Sequence, residues 1–237
     1  MRITIALSFL AVLCTVEAVP VASTDLEILR LRVRDLKWRV DTVKQRIRTL
    51  RDHTNDDTLD EVSLKWNEEE DSFREYADLL LSGIRKDTDA VKAEGKDADS
   101  CYKDAIKGIE DVEQEAYKQA TKCDEAAKNS IQSNLGFIDN LLSTADTLST
   151  DLDNTFLTCH DKDIYRMQTC IIHELGITEN SLKILENDCI TAETTIMPVS
   201  RNVVKKASNC FKQAFSSSYT SGTGIKMKAD ECIQQKK

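Results

Sequence analysis

Cysteine is the residue type whose number and spacing promise chemistry in this chain. Beyond Cys14, seven remain: Cys101, Cys123, Cys159, Cys170, Cys189, Cys210 and Cys232. In an oxidising compartment such a cluster reads as a disulfide framework. A zinc site needs closely paired ligands, and the shortest interval here is eleven residues, from Cys159 to Cys170. Seven is an odd number, so one thiol either stays free or forms an intermolecular disulfide. Cys101 and Cys123 share one face of a helix but stand about 33 Å apart at helical rise, so they cannot bridge each other.

The other chemistry-bearing residues do not assemble into a known pattern. The chain has three histidines. His173-Glu174 begins like the zinc-protease helix motif, but Ile177 stands where its second histidine belongs. His160, Asp161 and Asp163 match no metal-ligand spacing and read better as a helix start, with Asp161 facing the positive end of the helix dipole. Ser221-Gly222-Thr223-Gly224 lacks the Lys-Ser/Thr ending of a phosphate loop, and no Gly-x-Ser-x-Gly elbow occurs. No catalytic residue, metal or cofactor is assigned, and the expectation is a protein that is not an enzyme.

The elements that carry these residues follow from composition. Seven Gly and two Pro make up under 4% of 237 residues, against about 12% in an average protein. Few breakers and 5% aromatics point to long helices and an all-α fold. A formal charge of −9 argues against a nucleic-acid binder. Residues 1–18 read as a secretory signal peptide: Arg2, an apolar run from Ile3 to Cys14, and Val16-Glu17-Ala18 before the cleavage point. That run is too short to span a bilayer, so the expectation is a secreted protein that is not an integral membrane protein.

Residues 19–95 form a cysteine-free segment that opens on a regular heptad. Leu26, Val33, Val40 and Ile47 make one seam, and Leu29, Leu36, Val43 and Leu50 the other, the signature of coiled-coil packing. Arg30, Lys37, Lys44 and Arg51 flank one side, with Arg32, Arg39 and Arg46 on the other. Residues 25–51 carry a balance of +5 and residues 52–75 one of −8. With a break at the polar run His53-Thr54-Asn55-Asp56-Asp57, the segment reads as an antiparallel hairpin, basic arm against acidic arm. The alternative use of the basic face is to bind an anionic surface, such as a glycosaminoglycan or acidic lipid.

Residues 96–237 read as a cysteine-bearing bundle of several helices. Expected interruptions lie near residue 130, at Gly176, at Pro198 and in the Ser/Gly run 216–224. A fold-back at 130 sets Cys101 level with Cys159, and one at 221 sets Cys210 level with Cys232. Two of Cys123, Cys170 and Cys189 then form a third bridge, without the geometry choosing which.

Cys101-Tyr102, Cys123, Thr158-Cys159, Thr169-Cys170, Asn187-Asp188-Cys189, Asn209-Cys210 and Asp230-Glu231-Cys232 together resemble the cysteine-containing helical domain of the insect secreted TsetseEP-type family. The resemblance covers about 140 residues and implies an extracellular insect protein of gut, saliva or a similar fluid. It transfers no catalytic residue. The combined expectation is a secreted, non-catalytic interaction protein whose partner is a protein or an extracellular surface ligand. The alternative is a carrier of a small apolar ligand held in the bundle.

Overall fold

A computed structural model describes residues 21–236; the expected signal segment 1–18 and Cys14 lie outside the described residues. The fold is all-α. Helix α1 spans Val21–Ala93, α2 Asp99–Thr158 and α3 Ile164–Gln234, and no strand occurs among the described residues.

The two connections are short and locally determined. After α1, Gly95 takes a positive φ of 81°. The Lys96 N–H then reaches the Val91 carbonyl and the Gly95 N–H that of Lys92. This is the double closure that ends helices on a left-handed residue. Asp97 caps α2 by accepting from the Asp99 N–H at 2.9 Å, and Asp163 caps α3 by accepting from the Tyr165 N–H at 3.0 Å. Asp161 accepts from the Asp163 N–H at 2.8 Å, so the acidic residues around His160 serve the turn.

The chain divides into two compact units, each drawing on all three helices. The first comprises residues 21–47 and 141–189, and the second residues 48–140 and 190–236. Residues 19–95 are therefore not a separate domain: the apolar seam of α1 is completed by α2 and α3. In the first unit Leu29, Val33, Leu36, Val40 and Ile47 are buried, as the heptad requires. Leu152 of α2 and Leu175, Leu182 and Leu185 of α3 join them in its core. In the second unit the large buried side chains include Phe73, Ile84, Ile131, Leu135, Phe211 and Phe215.

The expected hairpin is absent, because α1 runs through residues 53–57 without a break. The core-facing residue there is Thr58, fully buried. Its hydroxyl bonds the Thr54 carbonyl and lies 2.7 Å from Ser200 Oγ. A satisfied hydroxyl removes the penalty for a buried polar group, and the flanking Asp56 and Asp57 remain in solvent.

The other expected interruptions are helical for similar reasons. Residue 130 lies inside α2, and Gly176, Pro198 and residues 216–224 lie inside α3. Pro198 sits on an exposed position, where the carbonyl it leaves unpaired can meet water. In the Ser/Gly run, Ser217, Ser221 and Thr223 turn their hydroxyls back onto carbonyls three or four residues earlier. Gly222 is required by packing. A Cβ there would lie 2.9 Å from Tyr76 Cε1 and 3.3 Å from Leu80 Cδ1.

Continuous helices also redraw the disulfides. Cys101 pairs with Cys232, Cys123 with Cys210, and Cys159 with Cys170, while Cys189 is buried and takes part in none of these bridges. Of the three cysteines that the sequence left open, Cys123 and Cys170 are the bridged ones. The pairings Cys101–Cys159 and Cys210–Cys232 do not occur, because neither residue 130 nor residue 221 is a turn.

The bridges should differ in what they contribute. Cys159–Cys170 closes a span of 11 residues, worth about 3 kcal/mol of loop-closure entropy. Cys101–Cys232 spans 131 residues and encloses Cys123–Cys210. With the inner bridge intact its effective loop is about 44 residues, worth about 4 kcal/mol. Urea unfolding followed by circular dichroism should therefore show a larger loss for C101S/C232S than for C159S/C170S. The reverse order would mean that native-state strain, not loop closure, decides.

Candidate functional site

The seven cations flanking the heptad were the sequence's one candidate binding surface, and the structure places most of them against carboxylates of the same chain. In the first unit Arg32 meets Glu179 at 3.1 Å and Arg39 meets Glu186 at 3.2 Å. Both steps are seven residues, so α1 and α3 run parallel there. Lys37 pairs with Asp153 and Lys44 with Asp146, the descending numbers of an antiparallel α1–α2 pair. Arg30 lies over the Phe156 ring at 5.7 Å, and Arg46 is also engaged. In the second unit Arg51 bonds Asp139 at 2.5 Å, with Asp52 at 3.4 Å, and the Asp139 hydrogen bond raises its pKa. Apart from Asp52, the carboxylates that meet this basic face come from α2 and α3 rather than from the acidic residues 52–75. The pairs are largely exposed, so each adds little stability, but the spacing gives the helices a common register.

Cys189 is 1% exposed. An intermolecular disulfide through this odd cysteine would require the packed seam to open.

The densest polar cluster lies in the second unit, beside an aromatic ladder. Trp66 stacks on Phe211 at 5.7 Å and tilts toward Tyr117 at 6.3 Å. Phe73 meets Phe215 and Tyr219, and Tyr76 packs edge-on against Tyr219 at 4.9 Å. Arg74 donates to the Tyr117 hydroxyl at 2.8 Å and pairs with Glu70 at 2.5 Å. Burial, then the hydrogen bond and negative charge of Glu70, push the Tyr117 phenol up to about 12. These groups position α1 against α2 and α3; no group of three or more His, Cys, Asp or Glu suited to a metal occurs among the described residues.

Grooves between helices open to solvent. In the second unit one of about 330 Å³ lies between α2 and α3, lined by Cys101, Gly108, Ile225, Lys228 and Cys232 among others. In the first unit a groove of about 590 Å³ lies between α1 and α2, lined by Leu31, Arg34, Leu152 and Phe156 among others.

The feature that sequence reasoning missed is the apolar surface. Among the described residues fourteen large hydrophobic side chains are exposed, and eight belong to the first unit, which has about a third of those residues. They include Leu31 and Trp38 on α1, and Tyr165, Ile172, Ile177 and Ile184 on α3. Leu31 and Trp38, Tyr165 and Ile172, and Ile177 and Ile184 are three pairs at seven-residue spacing. That off-seam repeat was the available signal. Clustered exposed apolar groups mark interaction surfaces.

None of the described helices is long and apolar enough to cross a membrane. Comparison with protein-family models, curated proteins and solved structures yields no match.

Alkaline titration gives a direct check on the Tyr117 cluster. Its neutral phenol is favoured by the fold, so the associated stability is fully present below pH 10 and is lost as pH rises through the folded value near 12. Glu70→Gln should bring the Tyr117 transition down toward 10, read from tyrosinate absorbance. An unmoved transition would show that burial alone holds it.

Proposed function

We propose that this protein is a secreted, non-catalytic helical interaction module that recognises a protein target through the exposed apolar residues of its first unit. The observation that carries this reading is the seven-residue alignment of Ile177 and Ile184 on α3, 49% and 62% exposed. A helix burying apolar residues only in its own bundle places polar groups at these positions. Heptad-spaced isoleucines outside the seam fit a helix or apolar strip of another protein.

Three disulfides and the leader-like residues 1–18 support an extracellular setting. The order of cysteines and their neighbours supports kinship with TsetseEP-type proteins, and with it an insect fluid of gut, saliva or similar origin. Against the carrier reading stands the character of the described clefts, which are grooves open to water.

Two measurements separate these readings. Native mass spectrometry of gently purified protein should give the mass of the polypeptide alone; a small molecule retained at fixed stoichiometry would contradict the module reading and favour the carrier. Cross-linking in the native fluid should identify a partner whose affinity falls at least about tenfold with I177E/I184E. Unchanged partner affinity would remove α3 from the recognition surface.

A further inference from the structure

We infer that the outer face of α1 is the contact surface for a second copy of this chain, docked antiparallel about a two-fold axis beside Trp38. The face is defined by geometry. Leu31 and Trp38 lie five residues beyond the seam positions Leu26 and Val33, and two beyond the buried Leu29 and Leu36. At 100° per residue this places them opposite the core, consistent with exposures of 50% and 68%.

Beside these two apolar residues runs a second seven-residue series of the first unit, Glu27, Arg34 and Asp41, all exposed. Its charges alternate in sign at every step. Two copies laid parallel in register would set each charge against its like. Laid antiparallel with the axis between residues 37 and 38, Arg34 of each copy faces Asp41 of the other. Trp38 then packs near Trp38 of the second copy, with Leu31 at either end. Such a contact uses the same patch on both chains, the requirement for a closed two-fold dimer.

The pairing within the chain points the same way. Arg32, Lys37, Arg39 and Lys44 have carboxylate partners on α2 or α3. Glu27 and Arg34 make no ion pair or hydrogen bond among the described residues, and Asp41 accepts only from Ser149 Oγ at 3.3 Å. The charges that turn inward are matched within the chain, while the alternating outer series is matched only by itself.

This inference goes beyond target recognition through α3 and stands separately from it, because its test leaves Ile177 and Ile184 unaltered. Sedimentation of the full secreted chain at low salt should show a monomer–dimer equilibrium that weakens as salt screens the pairs. Arg34→Asp and Asp41→Arg should each weaken dimerisation at least about tenfold, because each breaks two symmetry-related pairs. The double exchange R34D/D41R should restore the parent dissociation constant to within about threefold, since the same pairs form with inverted sign. Trp38→Ser tests the apolar centre without altering charge and should also weaken the dimer; circular dichroism checks that each variant keeps its helices. A parent chain that is still monomeric at about 100 μM, a concentration that populates any dimer of micromolar affinity, overturns the inference. So does a dimer indifferent to the single reversals, or one that the exchange fails to restore.

Discussion

Two cysteine pairs stand 22 residues apart on each of two helices: Cys101 and Cys123 on α2, Cys232 and Cys210 on α3. Equal spacing in opposite directions means that both bridges close only when the helices run antiparallel in one register. A slip of one residue would move both rungs beyond the Cα separations of 5.8 Å seen at each, close to the mode for disulfides. The ladder thus ties the second unit's α2 to its α3 by covalent geometry. The aromatic packing of Trp66 and Phe73 of α1 against Phe211 and Phe215 follows from that alignment.

In the first unit register is held differently. Its one bridge, Cys159–Cys170, spans only the α2–α3 turn and constrains little beyond it. There the apolar heptad of α1 supplies the burial, while paired steps of seven supply the alignment: Arg32–Glu179 and Arg39–Glu186 on one flank, Lys37–Asp153 and Lys44–Asp146 on the other. Exposed ion pairs contribute little energy individually. Their periodicity penalises a shifted register, because each cation would then face a different residue on its neighbour. This is also the unit that displays most of the exposed large apolar side chains among the described residues.

The all-α fold and the heptad from Leu26 to Leu50 were legible in the sequence because each rests on composition or spacing alone. Helix ends were not. The run at residues 53–57, Gly176, Pro198 and residues 216–224 have poor helix propensity, worth about 1 kcal/mol per glycine and about 3 for proline in a helix interior. Packing along the shared core outweighs those costs. Thr58 gains a partner in Ser200, and Gly222 lets Tyr76 approach; both partners lie more than 140 residues away in sequence and cannot be read locally. The pairings Cys101–Cys159 and Cys210–Cys232 presuppose turns near residues 130 and 221, where α2 and α3 are continuous. The equal 22-residue intervals were present in the sequence and pointed to the ladder without any knowledge of the turns. The cation face was visible as a pattern, but its carboxylate partners on α2 and α3 were not.

Because the ladder ties α2 to α3 in the second unit, disulfide connectivity is the most direct test of the account. Protein digested under acidic, non-reducing conditions and analysed by mass spectrometry should yield linked peptides for Cys101–Cys232, Cys123–Cys210 and Cys159–Cys170, with Cys189 recovered as a thiol. Recovery of Cys101 linked to Cys159, or of Cys210 linked to Cys232, would contradict the three-helix architecture and restore turns near residues 130 and 221.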